Sequence, residues 1–144
     1  MRITDRFISE HRVFLEQLDM LRALLDDGQP VGATAAALRT LAAPLGRHAK
    51  EEEEILFPAL AARIGEDGPI SILRAEHRSI EEQIEGIAAG SARAEVARMF
   101  DAFAATLRDH IAKEDDVLFP IAERVLGEEE LAALDEPAAA VAAG

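Results

Sequence analysis

Along this chain apolar residues recur every three to four positions through four long stretches, about 4–27, 32–64, 69–90 and 91–126. That is the period of helices that bury one face. Breakers divide them: "DDGQPVG", then "GEDGP", then Gly90 with Ser91 placed as an N-cap. Pro69 suits the first turn of the third helix. No segment carries a strand signal. Short loops between long helices make neighbours antiparallel, so the expected fold is all-α, an up-down-up-down antiparallel four-helix bundle. Beyond it, "EEELAAL" reads as a short C-terminal helical piece and "EPAAAVAAG" as a frayed tail with little to bury. The expected organisation is a bundle domain over 1–130 and an Ala-rich tail over 131–144. Pro58 and Pro120 fall late in the second and fourth patterns, where each is expected to kink or end its helix.

The pattern is also a repeat. "EHRVFLEQL" at 10–18 resembles "EHRSIEEQI" at 76–84, and "HAKEEEEILFP" at 48–58 resembles "HIAKEDDVLFP" at 110–120. The chain therefore reads as two helical hairpins in tandem. Neither hairpin buries its apolar face alone. Paired about a pseudo-twofold axis they close a bundle, and their equivalent residues meet at its centre.

Composition narrows the chemistry. A chain of 144 residues is enough for one domain with its own core. Without cysteine there is no disulfide, thiolate nucleophile or zinc-thiolate site. With 28 acids against 15 Lys and Arg, and no basic cluster, nucleic acid is not an expected partner. The first residues lack the apolar core of a signal peptide and no segment has the length of a membrane span, so a soluble cytoplasmic protein is the expectation. Tyrosine and tryptophan are absent, which removes a nearby tyrosyl radical from any redox scheme.

Position then separates the acids. At ~100° per residue, His48 and Glu52 share a helix face with Leu41, Leu45 and Ile55. His110 shares one with Glu114, Phe103, Leu107, Val117 and Ile121. His11 lies with Phe7, Ile8, Leu15 and Leu18; His77 with Ile70, Leu73, Ile80 and Ile84. Glu53, Glu54, Asp115 and Asp116 point away as solvated acids, and Glu51 is a boundary case. Glu10 and Glu76 read as surface groups or as partners of the inward layer. Phe57 and Phe119 lie about 180° from the histidine stripe, packed elsewhere or partly exposed.

A lone histidine on an apolar stripe is usually a hydrogen-bonded core residue, and a glutamate run is usually a solvated face. Two inward carboxylates beside four inward imidazoles, with no Lys or Arg on the stripes, are costly without a cation. Four imidazoles and two carboxylates without thiolate suit iron, manganese or zinc. Two carboxylates able to bridge favour a pair of ions over one. The simplest partition gives His11 and His48 to one ion and His77 and His110 to the other, bridged by Glu52 and Glu114.

These motifs, in the order H…HxxxE…H…HxxxE over about residues 5–126, resemble the hemerythrin-like, or HHE cation-binding, domain family. The resemblance implies a bundle around a non-haem centre of two iron ions, carried by His11, His48, Glu52, His77, His110 and Glu114. It implies a small diatomic or peroxide ligand: dioxygen, nitric oxide or peroxide. The oxygen-carrying members have an HxxxH pair on the third helix, and here Leu73 stands four residues before His77. Glu81, four residues after His77, makes a third HxxxE. It reads either as an extra metal ligand or acceptor for His77, or as an exposed glutamate. Three functions follow: a sensor or binding module for oxygen, nitric oxide, peroxide or iron; a small di-iron redox enzyme, peroxidase/catalase-like or ferroxidase-like; or a metal-free interaction bundle.

Overall fold

The computed structural model describes residues 1–143, and all its regular elements there are helices. Helix α1 is Ile3–Asp26. Helix α2 covers residues 31–64 as Val31–Glu51, a π-helical turn Glu52–Leu56 and Phe57–Ile64. Helix α3 is Pro69–Ala89. Helix α4 covers residues 93–125 as Arg93–Lys113, a second π-helical turn Glu114–Leu118 and Phe119–Val125. Helix α5 is Gly127–Ala143. Helix α1 packs on α2 and α3 on α4, and α2–α3 and α1–α4 contacts join the two hairpins. Gly65 ends α2 at φ 88° and Gly127 separates α4 from α5 at φ 80°. Both values lie in the left-handed region, which glycine enters without a Cβ clash.

The core is divided. One apolar cluster, including Phe14, Leu18, Leu41, Phe103 and Leu107, fills one end of the bundle. A second, including Ile3, Phe7, Leu60, Ile70 and Leu118, fills the other. Between them lies a buried polar layer of His11, His48, Glu52, His110 and Glu114, with His77 nearly buried beside it.

The two π-helical turns change the expected register. In each, the amide of the phenylalanine bonds back five residues, Phe57 to the Glu52 carbonyl and Phe119 to the Glu114 carbonyl. The following prolines, Pro58 and Pro120, have no N–H to place in an α-helical ladder, and the helices run on to Ile64 and Val125 rather than ending there. One extra residue per turn rotates everything downstream by about 100°. The stripe therefore passes from Ile55 to Leu56 and from Val117 to Leu118: both leucines are fully buried, and Val117 is 49% exposed. By the same shift Phe57 and Phe119 turn inward and are buried, against the expectation that they face away.

The C-terminal segment is longer and better anchored than the expected short piece and frayed tail. Helix α5 runs through Pro137 to Ala143 and packs over α1, α2 and the first π-helical turn. Its own Leu131 and Ala138 are fully buried against the bundle. Asp135 accepts a hydrogen bond from Arg6 at 2.7 Å, and Glu130 accepts one from Arg63 at 3.0 Å. Gly144, the last residue of the expected tail, lies outside the described residues.

Candidate metal centre

The four histidines come from α1, α2, α3 and α4, one from each, and all direct Nε2 toward the bundle axis. What fixes them is a ring of carboxylates on their outer nitrogens. His48 Nδ1 donates to Glu10 at 2.7 Å, His77 Nδ1 to Glu53 at 2.8 Å, His110 Nδ1 to Glu76 at 2.9 Å and His11 Nδ1 to Asp115 at 2.7 Å. The ring is cyclic: α1 serves α2, α2 serves α3, α3 serves α4 and α4 serves α1. A carboxylate accepts, so each Nδ1 carries the proton and each Nε2 is left with a lone pair facing inward. Carboxylates placed this way orient ligating imidazoles and raise their basicity.

Three ring acids are backed by cations. Arg6 bonds Glu10 at 2.9 Å, Arg74 bonds Glu53, and Lys113 bonds Glu76. Arg6 also holds Glu51 at 2.6 Å, so the undecided glutamate of the run is a buried ion-pair partner. Among the described residues no Lys or Arg pairs with Asp115. The acids at 53 and 115 are thus not simply solvated. They point away from their own helix's stripe because they point at the next helix's histidine. The repeat itself held the signal, since an acid follows the inward glutamate in both copies and precedes the histidine in both "EHR" segments.

Phe57 stacks on the His77 ring with centroids 5.7 Å apart and planes 12° apart. Phe119 stacks on His11 at 5.6 Å and 11°. The second Leu-Phe-Pro feature of the repeat is therefore an apolar backing for two of the four imidazoles.

Inside the ring the donors crowd together. His11 Nε2 and His48 Nε2 lie 3.2 Å apart, and Glu114 Oε1 is 3.0 Å from His11 Nε2. Glu52 Oε1 is 3.4 Å from His48 Nε2 and 3.3 Å from His77 Nε2, and Glu114 Oε2 is 3.6 Å from His110 Nε2. Both carboxylates are fully buried, and none of their four oxygens has a hydrogen-bond partner. Buried polar atoms are normally satisfied, so four orphaned oxygens in one layer require an occupant. Separations near 3 Å are those of ligands sharing a cation at bonds of about 2.0–2.2 Å. The residues present fit metal.

Two groupings stand out, His11, His48 and Glu114 in one, and Glu52, His77, His110 and Glu114 in the other. Glu114 belongs to both. His11 thus lies with His48 and His77 with His110, while Glu52, expected between the two pairs, falls with the second group only. Glu81 is exposed and outside both groups, on the wall of the cavity that opens beside them.

Without a cation the charges arrange themselves unequally. Burial, reinforced by the Glu114 carboxylate, pushes Glu52 well above the usual carboxylate range. Burial acts on Glu114 too, but the adjacent Glu52 carboxyl and the His11 and His48 nitrogens hold it well below that range. Burial works against charge on His11, yet the hydrogen bond to Asp115 and the Glu114 carboxylate push it up to about 9. Burial and the neighbouring His110 depress His77. The metal-free layer thus retains protons that a dication would displace.

This is a bundle-borne set of nitrogen and oxygen donors that fits a metal ion. The match to the hemerythrin HHE cation binding domain over residues 2–122 places the chain in that family, and so among cation-binding proteins. It is also similar to the iron-sulfur cluster repair protein YtfE of Musicola paradisiaca (strain Ech703), 31% identical over 85% of this chain and 63% of the relative. The protein of the same name from Yersinia pseudotuberculosis serotype IB (strain PB1/+) is 28% identical over the same shares. The chain spans 63% of the length of these curated relatives. No solved structure matches it. Among the described residues no helix is long and apolar enough to cross a membrane.

Proposed function

We propose that the chain is a di-iron protein that takes a small oxygen- or nitrogen-donor ligand, dioxygen, nitric oxide or peroxide, as a sensing or binding module. The observation that carries this reading is the set of four unpartnered carboxylate oxygens at the centre of four aligned Nε2 atoms. His11, His48 and Glu114 would hold one ion, and His77, His110, Glu52 and Glu114 the other. Iron is favoured over manganese or zinc by the family and by the relatives' name. Bound there, the ions would supply redox and Lewis-acid chemistry. The chain's own residues do the rest. The ring acids keep each imidazole in one tautomer, Phe57 and Phe119 fix two ring planes, and the apolar clusters close the layer toward both ends of the bundle.

Three protein donors in the first group against four in the second would leave an ion held by the first the more open to an added ligand. That asymmetry also supports a small redox enzyme, peroxidase/catalase-like or ferroxidase-like. The relatives' role in iron–sulfur cluster repair favours a further reading, in which the site's iron serves such repair.

Reduced, iron-loaded protein separates these readings when exposed in turn to dioxygen, nitric oxide and hydrogen peroxide. A new visible band that disappears on degassing supports binding. Sustained consumption of peroxide or added Fe(II) supports catalysis. Spectral indifference to all three overturns the proposed ligand class.

A further inference from the structure

The metal layer opens on one side only partly closed by the bundle. A cavity of about 590 Å³ reaches from His11, His48 and Glu114 out between α2 and α3. Diatomic ligands need a small fraction of that space, since a water molecule's share of liquid is about 30 Å³. Cavities of about 300–1,000 Å³ are those that hold organic small molecules. Its inner wall is apolar: Phe14, Leu45, Ile80, Leu107 and Ile111 line it, all buried. Small residues on α2, Ala42, Gly46 and Ala49, keep the outer part wide, and its exposed rim carries Lys50 and Arg78 beside Glu54, Glu81 and Glu85. A Cβ built on Gly46 would meet nothing within 4 Å, so open space continues to the surface there.

From this we infer that the centre accepts an organic ligand with an oxygen-donor head and an unbranched apolar body, of the class of a medium-chain carboxylate. The inference rests on the metal-loaded reading of the centre. Two dications facing two carboxylates and four neutral imidazoles would leave the inner layer net positive, and Arg6, Arg74 and Lys113 offset three of the four ring acids around it, which favours an anionic oxygen head. The five buried apolar side chains then cover the body, and each methylene they take from water adds affinity. A diatomic ligand would leave most of this wall unused.

Calorimetric titration of the iron-loaded protein with octanoate and with acetate tests it, because the two share a head group. Octanoate is expected to bind at least about tenfold more tightly. Gly46→Phe should fill the mouth and remove that gain, while Gly46→Ala, which keeps the passage open, should retain it. Both variants replace a glycine at an exposed position inside α2, so thermal unfolding is expected at or above the parent's temperature. Equal affinities for octanoate and acetate, or an unaltered octanoate preference in a folded Gly46→Phe variant, overturn the inference. Metal content measured on the same samples keeps the two readings apart. Two ions without a chain-length preference overturn this inference alone, and a metal-free protein overturns the proposed function and this inference with it.

Discussion

Asp115 offers the most informative single change, because it orients His11 and is the one ring acid without a Lys or Arg partner among the described residues. Replacing it with alanine removes the acceptor 2.7 Å from His11 Nδ1 and little else. A charge-assisted hydrogen bond of this kind contributes about 1.5–3 kcal/mol. The carboxylate is 31% exposed, so solvent screening places the loss toward the lower end. Removing such an outer partner typically weakens metal binding about 10–100-fold. That corresponds to about 1.4–2.7 kcal/mol, in agreement with the hydrogen-bond figure. Asp115→Asn keeps an acceptor oxygen but loses the charge, and should fall between the parent and Asp115→Ala. Exposed Asp116 is the matched control, and Asp116→Ala should leave affinity unchanged. Competition with a chromophoric chelator measures each affinity. If Asp115→Ala binds metal within about twofold of the parent, the ring does not orient the ligands and the reasoning fails.

Three further outcomes are expected. Phe57→Ala removes a fully buried ring stacked on His77 and should cost about 3–5 kcal/mol in thermal or denaturant unfolding, with Phe119→Ala equivalent; a loss under about 1 kcal/mol would deny the inward rotation caused by the π-helical turns. Leu131→Ala should cost about 2–5 kcal/mol, since Leu131 is the fully buried anchor of α5, whereas a detached tail would show no effect. Chelator-treated protein should lose stability as pH rises from about 6.5 to 9, above the range in which the depressed His77 and Glu114 act in the opposite sense. His11, up at about 9 against 6.5, contributes fully below 6.5 and is lost through about 9, and Glu52, raised above 4.5, acts in the same direction. Denaturant midpoints that climb from about pH 6.5 to 9 would contradict that sign.

The bundle and its inward layer were legible because both follow from a 3.6-residue period and from a repeat. His48 with Glu52 and His110 with Glu114 keep their i, i+4 relation because each π-helical turn begins at the glutamate. After that point the faces shift: an ideal helix puts Ile55 and Val117 inward and Phe57 and Phe119 outward, whereas the extra residue leaves Ile55 half-buried, exposes Val117 and buries both phenylalanines. The period cannot reveal such a turn, though Leu-Phe-Pro, one aliphatic residue after the acids, marks where an α-helical ladder must be interrupted. Glu53 and Asp115 were hidden for a different reason. Helical angles describe a residue's own helix, and these acids serve the neighbouring one. Helix α5 was obscured by its composition, since an Ala-rich run has little to bury, yet Leu131, Ala138 and the Asp135–Arg6 pair suffice to seat it.

The account turns on whether the central layer holds a pair of metal ions. Elemental analysis of anaerobically purified protein, beside a double variant His48→Ala with His77→Ala, asks this directly. The account predicts about two ions per chain, iron foremost, in the parent and fewer than one in the double variant, which removes one donor from each group. A parent without stoichiometric metal, or a double variant that retains both ions, would contradict it.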